Sequence, residues 1–497
     1  MFDKLKNFYK NIKNLNHTVD NYKNESIIQS LPTKAYVNKA KKMIEEKDYS
    51  SAIEVLESAL DISDKDYLVF KYLGKIAEIQ KRFNDACKYY EKSSELNPND
   101  KEIWLRLGMS YLYFDMPTEA ILSFEKADKI TPFNTDIQTG WGMALMKLKK
   151  YSLAKDKFNL AARISKYNFS AILLSAVMEV RLEEYAIAEE KLKFLVKVAP
   201  NEGSLYEYAH LKLLQGKYED AQIYAKKTLE INKQMLPAYF LLGEIYSIKR
   251  DIEQTDLTFD TALFNDLDSP ALHFERGKCY VRLLEFSKAK EEFEKALSQD
   301  GNYKDAKIGM ALINAYDNDF GLLNDLKEKN MDNVYIKEGC GLMEMANHNH
   351  NAAAELLKSA VKKDPHQTYI YFNLACVYAE LNQQYKVREY FEKFTNLNPE
   401  YIKGLVEYSK WLIKIFDYDE AQRKLKKALR LDENNSEILN LLFSAQFALV
   451  KKNICEYNII EAISIAQKAL ETGEFKYAPQ LQELEDMLKD FQESRIH

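Results

Sequence analysis

Glycine and proline are both scarce in this chain of 497 residues, with 15 and 10 copies. All-β proteins need many tight turns, and α/β enzymes need glycine-rich loops, so this composition is typical of a mostly helical chain. The cysteines are few and scattered, at positions 87, 279, 340, 376 and 455. They lack the close, paired spacing of disulfide frameworks and zinc sites, and we interpret them as reduced thiols that pack as small apolar residues.

Long apolar runs are also missing. None approaches the ~18–20 residues that a membrane span requires. The N-terminal stretch has no uninterrupted apolar core and no small-residue cleavage site, so it is not a secretory signal, and a cytoplasmic location is expected. The net charge of −6 argues against nucleic acid as the main partner, because such proteins usually carry a dominant basic face.

Catalytic signatures are absent as well. The sequence contains no P-loop, no GxGxxG after a strand, no GxSxG and no HExxH. His348 and His350 in the stretch NHNHN resemble a metal-binding pair, but no cysteine or carboxylate stands beside them at ligand spacing. We interpret this stretch as a polar turn, and we predict no catalytic residue, no metal site and no cofactor.

Internal repeats dominate what is present. Small residues recur at intervals of about 34 at Gly74, Gly108, Gly142, Ala176, Ala209, Gly243, Gly277, Ala311, Gly341, Ala375 and Ser409. A second series runs twelve residues behind, at Ala86, Ala120, Ala154, Ala188, Ala221, Ala289, Ala353 and Ala421. Prolines mark repeat ends at Pro98, Pro132, Pro200, Pro365 and Pro399. Three series in phase predict a repeat array.

One period has the pattern of two amphipathic helices. The first has apolar residues three and four apart, beginning at Trp104, and the second continues the rhythm through Phe124. A turn is expected at 114–117. Gly108 is small so that the two helices can approach closely, and the large side chains fill the space on either side. Trp104 is therefore interpreted as a packing residue rather than as a platform for a ligand.

The full set of one period comprises Trp104, Leu107, Gly108, Tyr111, Ala120, Phe124, Ala127 and Pro132. This pattern resembles the tetratricopeptide repeat family, with about thirteen repeats over roughly nine tenths of the chain. The resemblance implies an all-α, right-handed superhelical solenoid of stacked antiparallel helix pairs. It also implies that the first helix of each pair lines a concave groove, which in family members commonly holds an extended peptide or a partner helix.

The repeat register predicts five segments. Residues 1–32 form an amphipathic leader helix that is partly disordered, and 33–303 form a regular array. Residues 304–333 form a shortened, irregular repeat that acts as a seam or kink. The array resumes over 334–475, where the last repeat carries an insertion that lengthens its first helix or its loop. Residues 476–497 form a helix that caps the open core.

The predicted groove residues follow from the repeat positions. A basic group stands in the early repeats, methionines and apolar side chains follow, and aromatic and polar residues come late. They are Lys71, Lys75, Arg106, Met109, Met143, Met146, Leu173, Val177, Tyr206, Phe240, Phe274, Glu338, Leu342, Tyr369, Phe372 and Asn373. The basic group suits an acidic segment or a C-terminal carboxylate. Family members that grip such a carboxylate place asparagines where this chain has Lys75 and Arg106, so that clamp is not reproduced.

The leading hypothesis is a non-catalytic cytoplasmic scaffold that binds peptide or helical segments of partner proteins in this groove. The alternative is a membrane-peripheral adaptor that makes weak surface contact through residues 1–19, where lysines flank an apolar face. An RNA-binding array would need basic groove residues in most repeats, and an enzyme would need a catalytic constellation. Neither pattern is present, and the sequence leaves the partner and the oligomeric state open.

Overall fold

The computed structural model describes residues 33–165, 167–472 and 477–493, and these residues form helices, turns and connections without strands. The helices fall into two units, Met1–Asn232 and Lys233–His497. The predicted leader helix at 1–32 and its proposed membrane contact lie outside the described residues. None of the helices in the described ranges combines the length and apolarity that a membrane crossing needs.

The first unit contains six antiparallel helix pairs of nearly constant length. They are α1 Lys34–Glu45, α2 Tyr49–Ile62, α3 Tyr67–Ile79, α4 Phe83–Leu96, α5 Lys101–Tyr113, α6 Pro117–Ile130, α7 Thr135–Lys147, α8 Tyr151–Ile164, α9 Phe169–Arg181, α10 Tyr185–Val198, α11 Glu202–Leu214 and α12 Tyr218–Ile231. The expected turn at 114–117 separates α5 from α6. Pro117 begins α6, where its missing N–H is not needed.

The second unit contains seven further pairs and one additional helix. They are α13 Leu236–Ile248, α14 Ile252–Phe264, α15 Pro270–Leu283, α16 Phe286–Gln299, α17 Lys304–Tyr316, α18 Gly321–Asn330, α19 Val334–Ala346, α20 His350–Lys363, α21 Tyr369–Glu380, α22 Gln384–Leu397, α23 Ile402–Lys414, α24 Tyr418–Leu431, α25 Ser436–Lys452, α26 Glu456–Glu471 and α27 Ala478–Glu493. The two units together therefore hold the thirteen pairs that the sequence predicts.

The turn inside each pair repeats one backbone motif. In the third pair Asp115 has a φ of 62°, and the next N–H, on Met116, donates to the carbonyl oxygen of Tyr111 at 2.8 Å. This is the Schellman arrangement that closes a helix with one left-handed residue. The equivalent left-handed residues are Lys47, Lys81, Asp115, Lys149, Glu183, Gly216, Arg250, Leu284, Asn318, His348, Asn382 and Phe416.

The recurring small residue explains how the two helices of a pair approach. A Cβ added at Gly108 would stand 2.7 Å from the Phe124 ring, and one added at Gly243 would stand 2.4 Å from the Phe259 ring. The aromatic ring of the second helix thus lies directly against the backbone of the first. First helices also pack against each other, as α5 does with α7 and α15 with α17, so they line a common face within each unit.

Two pairs differ from the rest. Helix α18 has 10 residues where the other second helices have 13 to 16, and only Leu323 of it is buried. Helix α25 runs for 17 residues, so the insertion in the last pair lengthens its first helix. Helix α27 packs against α26 and buries Leu484 completely. The capping role of α27 and the kink at the shortened pair stay predictions.

A contact between distant pairs lies within the second unit. The turn between α15 and α16 packs against α21, with Leu284 in the core cluster of that helix and the Phe286 ring 5.1 Å from the Tyr369 ring. The Tyr316 ring lies 5.2 Å from the Tyr369 ring and completes a three-ring group. We call this contact the fold-back. The shortened pair lies between its two sides along the chain.

Candidate protein-binding surface

The predicted groove residues all lie on first helices, from α3 to α21. Twelve of the sixteen predicted residues are half-buried and keep part of their surface in solvent. They are Lys71, Lys75, Arg106, Met109, Met143, Met146, Leu173, Val177, Tyr206, Phe240, Phe274 and Leu342. Their role in a binding groove stays a prediction.

Two members of the basic group, Lys71 and Arg106, are already engaged within the chain. Lys71 Nζ lies 2.8 Å from an Asp100 oxygen and 2.6 Å from a Glu102 oxygen. Arg106 pairs with Glu102 at 3.0 Å and with Glu78 at 3.1 Å. Burial by itself lowers the pKa of Lys71, but its hydrogen bonds to the two carboxylates outweigh this effect and raise the pKa. An acidic ligand would have to displace these internal carboxylates, which weakens the basic end as a binding site.

The apolar middle of the first unit is partly shared with its neighbours. The Sδ atom of Met109 is 3.3 Å from the position that a Cβ on Gly140 would take. Met143, Met146 and Val177 contact the core cluster around Phe158. Each side chain therefore has one packed side and one solvent-facing side. Such a surface is held in place by its neighbours and still has flexible, polarizable atoms to offer a partner.

The second unit places four of the predicted side chains where a ligand cannot readily reach them. Glu338, Tyr369, Phe372 and Asn373 are 0%, 6%, 7% and 4% exposed. The amide of Asn373 donates to Glu338 at 3.2 Å, and Tyr369 is covered by the fold-back ring Phe286. The prediction of groove exposure is wrong for these four residues, because other side chains of the second unit cover them.

Trp104 is a packing residue, as its repeat position indicates. It is 8% exposed, its indole N–H donates to the carbonyl oxygen of Pro98 at 2.8 Å, and Lys126 Nζ lies 4.1 Å from its ring centroid. The indole N–H therefore has a hydrogen-bond acceptor within the protein. It lines a surface cleft of about 440 Å3 between the second and third pairs.

A cleft at the equivalent place between the fifth and sixth pairs has a volume of about 500 Å3. Its floor includes Leu205 and Tyr224, and three lysines stand around it, Lys193, Lys197 and Lys227. Neither cleft was predicted from the sequence, because the predicted groove comprised residues of first helices alone. The signal was present in the repeat register, since Lys126 and Lys227 occupy corresponding positions.

The two histidines of NHNHN do not form a metal site by themselves. His348 is the left-handed turn residue before α20, and its ring centroid lies 6.0 Å from that of His350. Across the described ranges, no group of three or more His, Cys, Asp or Glu side chains is placed to hold a metal ion.

The described residues form stacked antiparallel helix pairs, and twelve of these pairs turn through one left-handed residue. An aromatic ring of the second helix lies against a small residue of the first, as in the pairs of Gly108 and Gly243. These features define a helical-repeat protein. A family model described as tetratricopeptide repeat matches residues 73–100, 101–134 and 368–401. These ranges cover parts of the second, third and eleventh pairs. The chain therefore contains tetratricopeptide repeats at these places.

One solved structure has a similar fold over most of the chain. The crystal structure of the APC/C hetero-tetramer Cut9-Hcn1 matches with a TM-score of 0.55 and 14% identity, over 92% of this chain and 96% of that chain. At this identity the match shows the fold alone.

Two curated proteins are similar to parts of the chain. Human "Protein O-mannosyl-transferase TMTC3" is 21% identical over 290 residues, which is 55% of this chain and 31% of the relative. "Hsp70-Hsp90 organizing protein 2" of Arabidopsis thaliana is 24% identical over 246 residues, which is 47% of this chain and 36% of the relative. The chain thus spans about a third of the length of these relatives.

Proposed function

We propose that the protein is a non-catalytic scaffold that binds an extended or helical segment of a partner protein on the first-helix face of its first unit. The observation that carries this proposal is the row of half-exposed apolar side chains on successive first helices. Met109 lies on α5, Met143 and Met146 on α7, and Leu173 and Val177 on α9. Apolar anchors in register on neighbouring helices suit a partner segment that runs across them.

The middle of the first unit is favoured over the two ends of the predicted groove. At the basic end, Lys71 and Arg106 are held in internal ion pairs. At the late end, Tyr369 and Phe372 are buried. Between them, the methionine and aliphatic side chains have no polar group to desolvate on binding, so their burial contributes about 25 cal/mol per Å2 of apolar surface.

The name of one relative supports a role in binding other proteins. The organizing protein is named for the Hsp70 and Hsp90 proteins. The alignment with the named transferase covers 31% of that protein, and we do not extend its activity to this chain. We propose protein binding as the function that this chain has in common with the organizing protein.

A pair of matched variants tests the proposal. Met143→Glu with Val177→Glu places two charges on the first-helix face. Leu122→Glu with Leu153→Glu places two charges on second helices, at side chains that are 55% and 53% exposed. Circular dichroism should first show that both variants keep their helix content. Proteins captured from host lysate by each variant are then compared with those captured by the unmodified chain.

The expected result is that one or more captured proteins are lost with the first-helix variant and kept with the second-helix variant. A partner lost only with the second-helix variant would move the binding surface to the opposite face. Capture that is unchanged by both variants would contradict the proposed surface.

A further inference from the structure

Two arginines of the second unit meet beside the fold-back. Arg250 is the left-handed turn residue between α13 and α14, and Arg282 lies on α15 with its side chain 5% exposed. Arg250 donates to the backbone oxygen of Arg282 and, from its other terminal nitrogen, to Thr368 Oγ1 at 2.5 Å. Residues separated by 118 positions are thereby brought together.

The two guanidinium groups differ in how their charges are balanced. Arg282 lies 3.3 Å from Glu244 and 3.1 Å from Asp364, so two carboxylates share one cation. Arg250 forms no ion pair with any described residue, and its two hydrogen-bond acceptors are neutral oxygens. Burial and the nearby charge of Arg282 lower the pKa of Arg250 to about 10. A desolvated guanidinium without an anionic partner is costly in a protein.

A small cavity of about 50 Å3 opens between these groups. Its polar lining comes from Ser247, Arg250, Arg282, His366 and Thr368, which belong to α13, the turn after it, α15 and the connection between α20 and α21. The Nε–H of Arg282 is buried and has no hydrogen-bond partner. A guanidinium has five N–H donors, and the contacts of Arg250 described above engage two of its nitrogens.

We propose that this cavity binds a single tetrahedral oxyanion of the phosphate class. Three features point to an anion. The guanidinium groups of Arg250 and Arg282 line one space. Among the described residues, Arg250 has no carboxylate partner, and the buried Nε–H of Arg282 has no hydrogen-bond acceptor. The hydroxyl hydrogens of Ser247 and Thr368 are already donated to the Glu244 carbonyl and to Asn398 Oδ1, so the donors for an ion come from the two guanidinium groups. Because these groups enter the cavity from different elements, they suit a tetrahedral ion better than a planar one. The small volume fits one free ion rather than a larger ligand.

The position of the cavity gives the ion a structural consequence. Its lining joins the seventh and eighth pairs to the connection that precedes the eleventh pair. An anion held there would tie the two sides of the fold-back together. This inference is independent of the protein-binding face proposed for the first unit, since none of the residues involved lies there.

Equilibrium dialysis of the full chain against radiolabelled inorganic phosphate, at constant ionic strength in chloride, tests the site. The unmodified protein should bind one equivalent saturably. Arg250→Gln should weaken binding at least tenfold. Lys149→Gln is the matched control, because Lys149 is the exposed cation at the same turn position in the first unit, and it should bind as the unmodified protein does.

A thermal denaturation series adds a second readout. Phosphate should raise the unfolding midpoint of the unmodified protein and of Lys149→Gln more than chloride does, and this difference should vanish in Arg250→Gln. If Arg250→Gln does not fold, Thr368→Val removes the hydroxyl oxygen that positions the Arg250 guanidinium, with less disturbance, and should weaken binding in the same direction. No saturable phosphate binding, or equal binding by Arg250→Gln, would overturn the proposal and leave a cavity filled by water.

Discussion

Glu338 on α19 is a buried carboxyl group whose protonation should govern part of the stability of the second unit. Its side chain is 0% exposed. It accepts hydrogen bonds from the Tyr316 hydroxyl at 2.7 Å, from Asn373 at 3.2 Å and from Gln367 at 3.3 Å. Burial is the largest influence and raises the pKa from 4.5 to about 7, with Asp364 adding to the effect and the three donors opposing it.

The sign of the pH effect follows from the two protonation equilibria. Below pH 4.5 the carboxyl is protonated in the folded and the unfolded chain. Between pH 4.5 and about 7 the unfolded chain loses the proton while the folded chain keeps it, so stability falls as pH rises. Above about pH 7 the loss of folding stability caused by Glu338 is complete. At about 1.4 kcal/mol per pH unit, this loss amounts to about 3 kcal/mol.

Glu338→Gln removes this titration and keeps the shape of the side chain. The amide oxygen can still accept from Tyr316 and Asn373, and its NH2 can donate to Gln367 once that side chain presents its oxygen. We expect the variant to be more stable than the unmodified protein at pH 8 by about 3 kcal/mol, and to differ by about 0.5 kcal/mol or less at pH 4.5.

Urea unfolding followed by circular dichroism at both pH values measures the difference. Because the two proteins share every other titrating group, the change with pH in their difference isolates Glu338. Glu355→Gln, at an exposed carboxylate on α20, should show no such change. A Glu338→Gln effect of the same size at both pH values would refute the reasoning, since it would mean that Glu338 ionises at its ordinary pKa.

Two further outcomes are expected from the packing. Gly243→Ala should destabilise the protein by about 1–3 kcal/mol in urea unfolding, because its Cβ would meet the Phe259 ring at 2.4 Å, whereas Gly301→Ala, with nothing nearer than 3.8 Å, should change stability by about 0.5 kcal/mol or less. Equal effects would contradict the close contact of the two helices. Burial raises the pKa of Cys279 to about 12, so iodoacetamide at pH 8 should modify the half-buried Cys455 well before Cys279, as peptide mass spectrometry can follow. Comparable rates would show that α15 is less tightly packed than described.

The regular part of the fold was predictable because its rules are local. Gly108 and Phe124 stand sixteen residues apart, and their contact depends only on a helix, a turn and a second helix. The same spacing recurs along the chain, so each pair confirms the register of the next. The number of pairs and the packing role of Trp104 followed from this periodicity.

The internal ion pairs of the basic end could also have been anticipated. Asp100 is 29 residues after Lys71, and Glu78 is 28 residues before Arg106. In an array with a period near 34, such separations place side chains on neighbouring first helices. The predicted basic group comprised Lys71, Lys75 and Arg106 alone. The carboxylates beside Lys71 and Arg106 make the early groove less basic than these three cations suggest.

The burial of Tyr369 could not have been predicted in this way. It depends on Phe286, and the associated polar contacts join Arg282 to Asp364 across 82 residues and Arg250 to Thr368 across 118. A contact between residues that lie several pairs apart leaves no periodic signal in the sequence. Whether such residues meet depends on the small rotations that accumulate from one pair to the next. The shortened α18 lies within this interval and was the one local sign that the register changes there.

The fold-back also has a mechanical meaning. An ordinary helical-repeat array behaves as a spring, since each pair touches only its neighbours and tension passes through all of them in series. Here the hydrogen bond between Arg250 and Thr368, beside the fold-back, joins residues 118 positions apart. Within the second unit, a force applied to the chain would be carried by the fold-back and this hydrogen bond. The helices between Arg250 and Thr368 would bear little of the force until these contacts break. The extension of this unit under force should therefore show a discrete step where a spring would lengthen smoothly.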